Sequence, residues 1–210
     1  MNKNVVILIS GRGSNMQSIV NANIQGANIQ AVISNRDDAA GLVWAQERGI
    51  TTQVINHRDF DSRDAFDLAL QQAIDAHEPD LVVLAGFMRI LTANFCQHYQ
   101  NRMINIHPSL LPSFKGLHTH QAAIDAGCKL AGCTVHFVTA ELDHGPIISQ
   151  AAVPILPTDD ADSLAKRVLV TEHQLYPQAV ADFVSGRLVI ENGKVINQQP
   201  ASANDKLLAY

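Results

Sequence analysis

Asn105 and His107 lie two positions apart at the end of the apolar run that starts at Met103, so in a strand their side chains leave on one face. An amide N–H and an imidazolium N–H converging on one point meet the needs of the oxyanion formed in acyl transfer. Pro108 biases His107 towards an extended backbone. Taken alone, the pair also reads as polar capping of a strand end. Asp143 shifts the balance: it lies in the tight turn Leu142-Asp143-His144-Gly145-Pro146, which can fold across the same edge. Beside His107, a carboxylate orients the ring and favours its protonated form, producing a general acid.

A second chemistry-bearing stretch is Gly11-Arg12-Gly13-Ser14-Asn15, between a strand-like run and a helical pattern. Free amides at a helix start favour an anion, with phosphate the natural choice, although turning the chain and capping a helix would use the same residues. Met16 stands where a dinucleotide fingerprint needs its third glycine, and no Gly-Lys-Ser/Thr follows, so neither familiar phosphate motif is present. His118, His120, Cys128, Cys133, His136 and His144 crowd one stretch, yet no C-x-x-C or H-E-x-x-H spacing joins them, and no metal is expected. There is no G-x-S-x-G for a serine nucleophile, and Cys96 beside Phe95 reads as core. Gly86-Phe87-Met88-Arg89-Ile90-Leu91 follows a buried-strand run. It reads either as core or as an apolar wall against which a flat heterocycle can lie.

The elements that must position these residues follow from hydrophobic periodicity. Runs at 4–10, 29–34, 51–55, 80–85 and 103–106 read as strands, with helical patterns after Gly13, near 40–48 and over about 61–77. Continuously apolar strands separated by helices predict an α/β fold: one doubly wound, mainly parallel sheet with flanking helices and its ligand crevice beyond the strands' carboxyl ends. The second half predicts a hairpin-like arm from 133–139 and 147–154. A helix from Asp162 towards Phe183 follows, with Asp159, Asp160 and Asp162 at its start and a kink or break at Pro177. A small C-terminal hairpin turns on Asn192-Gly193. No linker or repeat divides the chain, so residues 1–210 read as a single domain, with about 200–210 a loose tail.

Composition narrows the classes. The 210 residues are 47% hydrophobic, enough for one core at a size where folding buries ~70% of the unfolded chain's surface. Twenty acidic against 15 basic side chains give a net charge of -5 and no basic footprint for nucleic acid. Three cysteines, an odd number, fit reduced thiols, and the N-terminal apolar run is too short for a leader or a span. The expectation is a cytoplasmic protein with no membrane or nucleic-acid partner.

The segments Ile9 to Asn15, Leu84 to Leu91, Asn105 to Pro112, and Gly132 to Val138 running on to Leu142-Asp143-His144-Gly145-Pro146 together resemble the folate-dependent phosphoribosylglycinamide formyltransferase family, in order and from residue 4 to about 190. The Asn-x-His-Pro-Ser-Leu-Leu-Pro and Leu-Asp-x-Gly-Pro pair is common to folate-dependent formyltransferases; Gly-x-Gly-Ser-Asn narrows the resemblance to this family. It implies a formyltransferase-type Rossmann-like fold and transfer of a formyl group from 10-formyltetrahydrofolate to the amine of glycinamide ribonucleotide in purine synthesis. No metal is implied, both partners being small molecules. By the same resemblance Asn105, His107 and Asp143 form the catalytic trio. Gly13, Ser14, Asn15 and Glu172 contact the ribonucleotide. Met88, Arg89, Ile90, Leu91, Asn105, Val138, Ala140, Glu141 and Asp143 line the folate pocket, and His118 sits on a loop that can close over the site. A monomer and a homodimer both fit.

Three other functions share parts of this pattern. A tRNA formyltransferase calls for a further C-terminal domain and a basic surface. A formyltetrahydrofolate deformylase calls for an N-terminal regulatory domain, and a non-catalytic nucleotide-binding module would use the glycine turn alone.

Overall fold

The computed structural model describes residues 2–198, so the tail expected over about 200–210 lies outside the described residues. Strands β1 (Lys3–Ile9), β2 (Ala27–Ser34), β3 (Thr51–Val54), β4 (Leu81–Leu84) and β5 (Met103–His107) are parallel. β6 (Leu130–Phe137) and β7 (Ile147–Pro154) continue the same sheet in the antiparallel sense, giving the order β3-β2-β1-β4-β5-β6-β7. The expected doubly wound, mainly parallel sheet is therefore present, and the predicted arm is its antiparallel edge.

Helices α1 (Ser14–Asn21), α2 (Ala40–Gln46), α3 (Arg63–Asp75), α4 (Ala93–His98), α5 (Thr119–Asp125) and α6 (Ala161–Val184) complete the layers. Met16, Ile19, Leu42, Val168 and Tyr176 pack α1, α2 and α6 on one sheet face; Phe66, Leu70, Phe95 and Tyr99 pack α3 and α4 on the other. Cys96 is buried in this second cluster, as its apolar setting predicts. The small hairpin of β8 (Leu188–Glu191) and β9 (Lys194–Asn197) turns on Asn192 and Gly193, both at positive φ as a primed two-residue turn requires.

Pro177 does not divide the last helix. α6 runs through it as one 24-residue element, although the proline removes an N–H and its ring crowds the preceding turn, a cost of ~3 kcal/mol or more. Pro177 and its neighbours Tyr176, Ala179 and Val180 are all buried, and the Tyr176 hydroxyl lies 3.0 Å from the Leu84 carbonyl and 3.1 Å from that of Ile104. That packing against β4 and β5 overrides the local preference. Asp160 caps α6: its carboxylate accepts from the Ser163 amide at 2.8 Å, while Ser163 Oγ accepts from the Asp160 amide at 3.0 Å.

Strand order reverses between β1 and β4, which opens a crevice at their carboxyl ends. The glycine turn leaves β1 on one side of it and the 86–91 wall leaves β4 on the other. Ser10 ties them together: its amide donates to the Gly86 carbonyl at 3.1 Å, and its hydroxyl accepts from the Met88 amide at 2.8 Å and donates to Asn35 Oδ1 at 2.6 Å.

Candidate active site

Alternation along β5 sends Ile104 and Ile106 into the α6-side core and Asn105 and His107 to the opposite face. Antiparallel pairing then sets Asn105 against His136 and His107 against Thr134, so four polar side chains form a block on that face. Thr134 holds the base of the loop that follows: its hydroxyl donates to the Ser109 carbonyl at 2.7 Å and accepts from the Leu111 amide at 3.1 Å.

The turn from Asp143 to Pro146 folds back over this block. Asp143 takes a positive φ of 49°, a sparsely populated conformation for a residue with a side chain, and its carboxylate is buried. Its Oδ2 lies 3.4 Å from His107 Nδ1 and accepts from the Gly116 amide at 2.9 Å. His107 Nε2 donates to the Phe114 carbonyl at 2.9 Å, so each ring nitrogen faces an acceptor, an arrangement that a doubly protonated ring satisfies. Gly145 admits the close fold of the turn, because a Cβ there would collide with the Phe137 carbonyl.

His136 sits between Asn105 and Asp143. It is 2% exposed, accepts at Nε2 from Asn105 Nδ2 at 3.3 Å, and donates from Nδ1 to the Phe137 carbonyl at 2.9 Å. Asp143 Oδ1 is 3.9 Å from its Nε2, but burial lowers the imidazole below its ordinary value more strongly than the Phe137 carbonyl and Asp143 raise it. The contact is thus between a carboxylate and a neutral ring. Sequence reasoning assigned His136 nothing, since the signal is a cross-strand register rather than a local motif.

Across the crevice, Gly13 adopts φ 67° and precedes α1 without a side-chain cap, so the first amides of α1 have no intrahelical acceptor. Asn15 and Glu172 meet each other: Asn15 Nδ2 donates to Glu172 Oε2 at 2.7 Å, and Asn15 Oδ1 is buried without a partner among the described residues. Burial raises the Glu172 carboxyl above its ordinary value, opposed by the Asn15 bond and by His107. α2 presses against the glycine turn at Gly41, whose amide donates to the Gly11 carbonyl at 3.1 Å. Arg12 beside this turn is exposed.

On the wall, Met88 and Ile90 are 65% and 57% exposed, an unusual display of apolar surface at a crevice rim, and Leu142 from the facing turn is 51% exposed. Leu91 is buried in the α3-side core and supports the wall from behind, Val138 packs against the same core, and Arg89 lies 5.7 Å over the Phe66 ring. Ala140 and Glu141 are exposed, and Glu141 lies 3.6 Å from Lys115 Nζ and 3.5 Å from His144 Nδ1, while that ring accepts from Lys115 Nζ at 3.0 Å. The loop carrying Phe114 and Gly116 thus already lies across the trio, and His118 is exposed at the start of α5, a helix that sequence periodicity did not predict. Among the described residues no group of three or more His, Cys, Asp or Glu is placed to hold a metal ion, and burial pushes the Cys96 and Cys133 thiols up to about 11. A concavity of about 560 Å³ between α1 and β2 is lined by Ile24, Ala27, Ile29 and Ile50 at the amino ends of strands, away from these groups.

The crevice at the strand reversal of this doubly wound sheet thus has a turn with free amides on one bank and an amide, an imidazole and a carboxylate on the other, groups of the kind that acyl transfer uses. The formyl transferase family model matches residues 3–180, and the chain belongs to that family. Over 189 residues it is 50% identical to the phosphoribosylglycinamide formyltransferase of Escherichia coli (strain K12), covering 88% of this chain and 89% of that protein. The structure of phosphoribosylglycinamide formyltransferase from Coxiella burnetii superposes with a TM-score of 0.89 at 47% identity, covering 94% of each chain. A formyltetrahydrofolate deformylase from Pseudomonas syringae pv. tomato is more distant, with a TM-score of 0.87 at 26% identity over 94% of this chain and 66% of that one.

Proposed function

We propose that the chain transfers the formyl group of 10-formyltetrahydrofolate to the primary amine of glycinamide ribonucleotide, giving formylglycinamide ribonucleotide and tetrahydrofolate in de novo purine synthesis. The observation that carries this reading is the convergence of Asn105, His107 and Asp143 opposite the anion-type turn, in a chain 50% identical to an enzyme of that name.

The amine nitrogen attacks the formyl carbon, and the carbonyl π pair moves onto oxygen. Asn105 donates an N–H to that oxyanion, and His107 Nε2–H exchanges the Phe114 carbonyl for it. Asp143 holds the imidazolium from Nδ1 and takes part in moving the proton from the attacking amine to the departing folate nitrogen. The oxyanion then collapses, the bond from carbon to the folate nitrogen breaks, and tetrahydrofolate leaves. Such donors, fixed before the charge develops, stabilise a transition state by about 3–4 kcal/mol each.

The α1 amides at Gly13, Ser14 and Asn15 bind the ribonucleotide phosphate, and Glu172, fixed by Asn15, contacts the remainder of that substrate. The pterin ring lies against the 88–91 wall, formed by Met88, Arg89 and Ile90 with Leu91 behind them, on one side and Val138, Ala140 and Glu141 on the other. The enzyme works in the cytoplasm as a monomer or homodimer without a metal, a setting in keeping with its protonated, buried thiols.

Incubating the protein with 10-formyltetrahydrofolate and glycinamide ribonucleotide, tRNA or water alone tests the reading. Folate release should require the ribonucleotide. Equal release in water would make the chain a deformylase, and transfer to charged tRNA a tRNA formyltransferase.

A further inference from the structure

We infer that His136 is a positioning residue that fixes the amide of Asn105 with an N–H directed at the reacting oxygen. The inference rests on the proposed formyl transfer and concerns how its oxyanion donor is oriented. An asparagine amide has two faces of nearly equal shape and opposite character: one presents N–H donors, the other a carbonyl oxygen that repels a developing anion. Among the described residues, Asn105 has one side-chain hydrogen bond, its Nδ2 donating to His136 Nε2 at 3.3 Å. That bond leaves the second N–H of the same nitrogen for another acceptor.

The bond has this direction because the ring is held in one tautomer. Nδ1 of His136 lies 2.9 Å from the Phe137 carbonyl, which can only accept, so the proton is on Nδ1 and Nε2 offers a lone pair. Reversing the Asn105 amide would set its oxygen against that lone pair. Protonating Nε2 would set N–H against N–H; burial, together with the neighbouring His107, opposes that charge and outweighs the support it would receive from the Phe137 carbonyl and from Asp143 Oδ1, 3.9 Å from Nε2.

The sheet aims the ring. His136 pairs with Asn105 across the β5–β6 ladder, and the β6–β7 register shifts between Val135 and His136. The residue skipped in that register is Ile148 on β7, so β6 itself runs on regularly through His136, and the ladder with β5 holds the ring, 2% exposed, opposite Asn105. Phe137 therefore selects the tautomer, the tautomer selects the amide face, and the amide face meets the substrate.

Long-range proton–nitrogen NMR of the full chain, labelled at histidine, reads the tautomer directly. A protonated Nδ1 and bare Nε2 at His136 are expected; a protonated Nε2 overturns the inference without touching the formyl-transfer reading. Turnover supplies the second arm, through His136→Leu, Asn105→Ala and the double variant, with His136→Gln as the conservative replacement that keeps an acceptor. His136→Leu should lower kcat about tenfold or more, with both KM values within about twofold, and His136→Gln should recover part of the loss. In the Asn105→Ala background, His136→Leu should cost no more than about twofold. Full multiplicative loss there would mean that His136 acts independently of Asn105 and would sink the inference. No loss on Asn105→Ala alone would instead remove the oxyanion role of Asn105.

Discussion

At the β1 bank of the crevice, Gly13 to Asn15 offer mainly backbone amides at a helix start, whereas at the β5–β6 bank the acting groups are side chains placed by strand register. Backbone amides come with the turn itself and tolerate variation in the side chains they carry. A side chain that must stabilise charge at one point needs its rotamer, tautomer and neighbours fixed. The antiparallel bank supplies these through Asn105 opposite His136, His107 opposite Thr134, and a turn whose Asp143 is held at positive φ. The proposed formyl transfer puts substrate binding on the first bank and bond-making on the second, and this division can be broken experimentally.

The largest effect should come from the antiparallel bank. His107→Ala and Asp143→Ala should each reduce kcat by about 10²–10⁴-fold, and the double variant should be little worse than either, because the pair acts as a unit. Rates near those of the unmodified protein would dismiss the trio. At the β1 bank, Ser14→Ala leaves the amides in place and removes only a hydroxyl, so it should raise the KM for the ribonucleotide no more than about two- to tenfold with kcat nearly unchanged, as expected for loss of one ground-state hydrogen bond. A fall in kcat without a change in KM would erase the distinction between the banks.

The smallest effect separates the banks by pH. Burial holds His136 below its ordinary 6.5, so as pH falls through that value the unfolded chain takes up protons that the folded chain does not, and stability drops. Glu172 is raised above its ordinary 4.5 by burial; as pH falls through its folded value the native state binds the proton first, which adds stability. Urea midpoints should therefore fall between pH 7.5 and 5.5, and His136→Leu should flatten that decline. An unaltered slope in the variant would assign the acid sensitivity to other groups, with His120 and His173 also lowered by burial.

Much of this architecture was readable in the chain. The apolar stretches Val5 to Ile9 of β1, Ala31 to Ile33 of β2 and Leu81 to Leu84 of β4 are buried on both faces and announce themselves without partners, and Asn105 and His107 declare a common face by their spacing alone. The effect of Pro177 was not readable, because the contacts that outweigh it lie on β4 and β5, far away in sequence. Nor was α5, which starts at a left-handed His118 rather than at a conventional cap. His136 looked like one more histidine in a crowded stretch, since its pairing with Asn105 has no local signature. Asn15 and Glu172 each resembled a substrate contact; that they bond to one another emerges only when α1 and α6 are packed.

Gly145 gives the motif around Asp143 a second meaning. The space that a side chain would fill there is taken by the Phe137 carbonyl, the same oxygen that holds the ring of His136. What looks in the sequence like a signature of catalysis is at this position a clearance. An alanine would introduce no competing charge and remove no donor, yet its methyl group would press on the carbonyl that accepts from the imidazole. Tolerance to substitution along Leu142-Asp143-His144-Gly145-Pro146 should thus be least at Asp143 for its chemistry and at Gly145 for its lack of bulk, with exposed His144 free to vary.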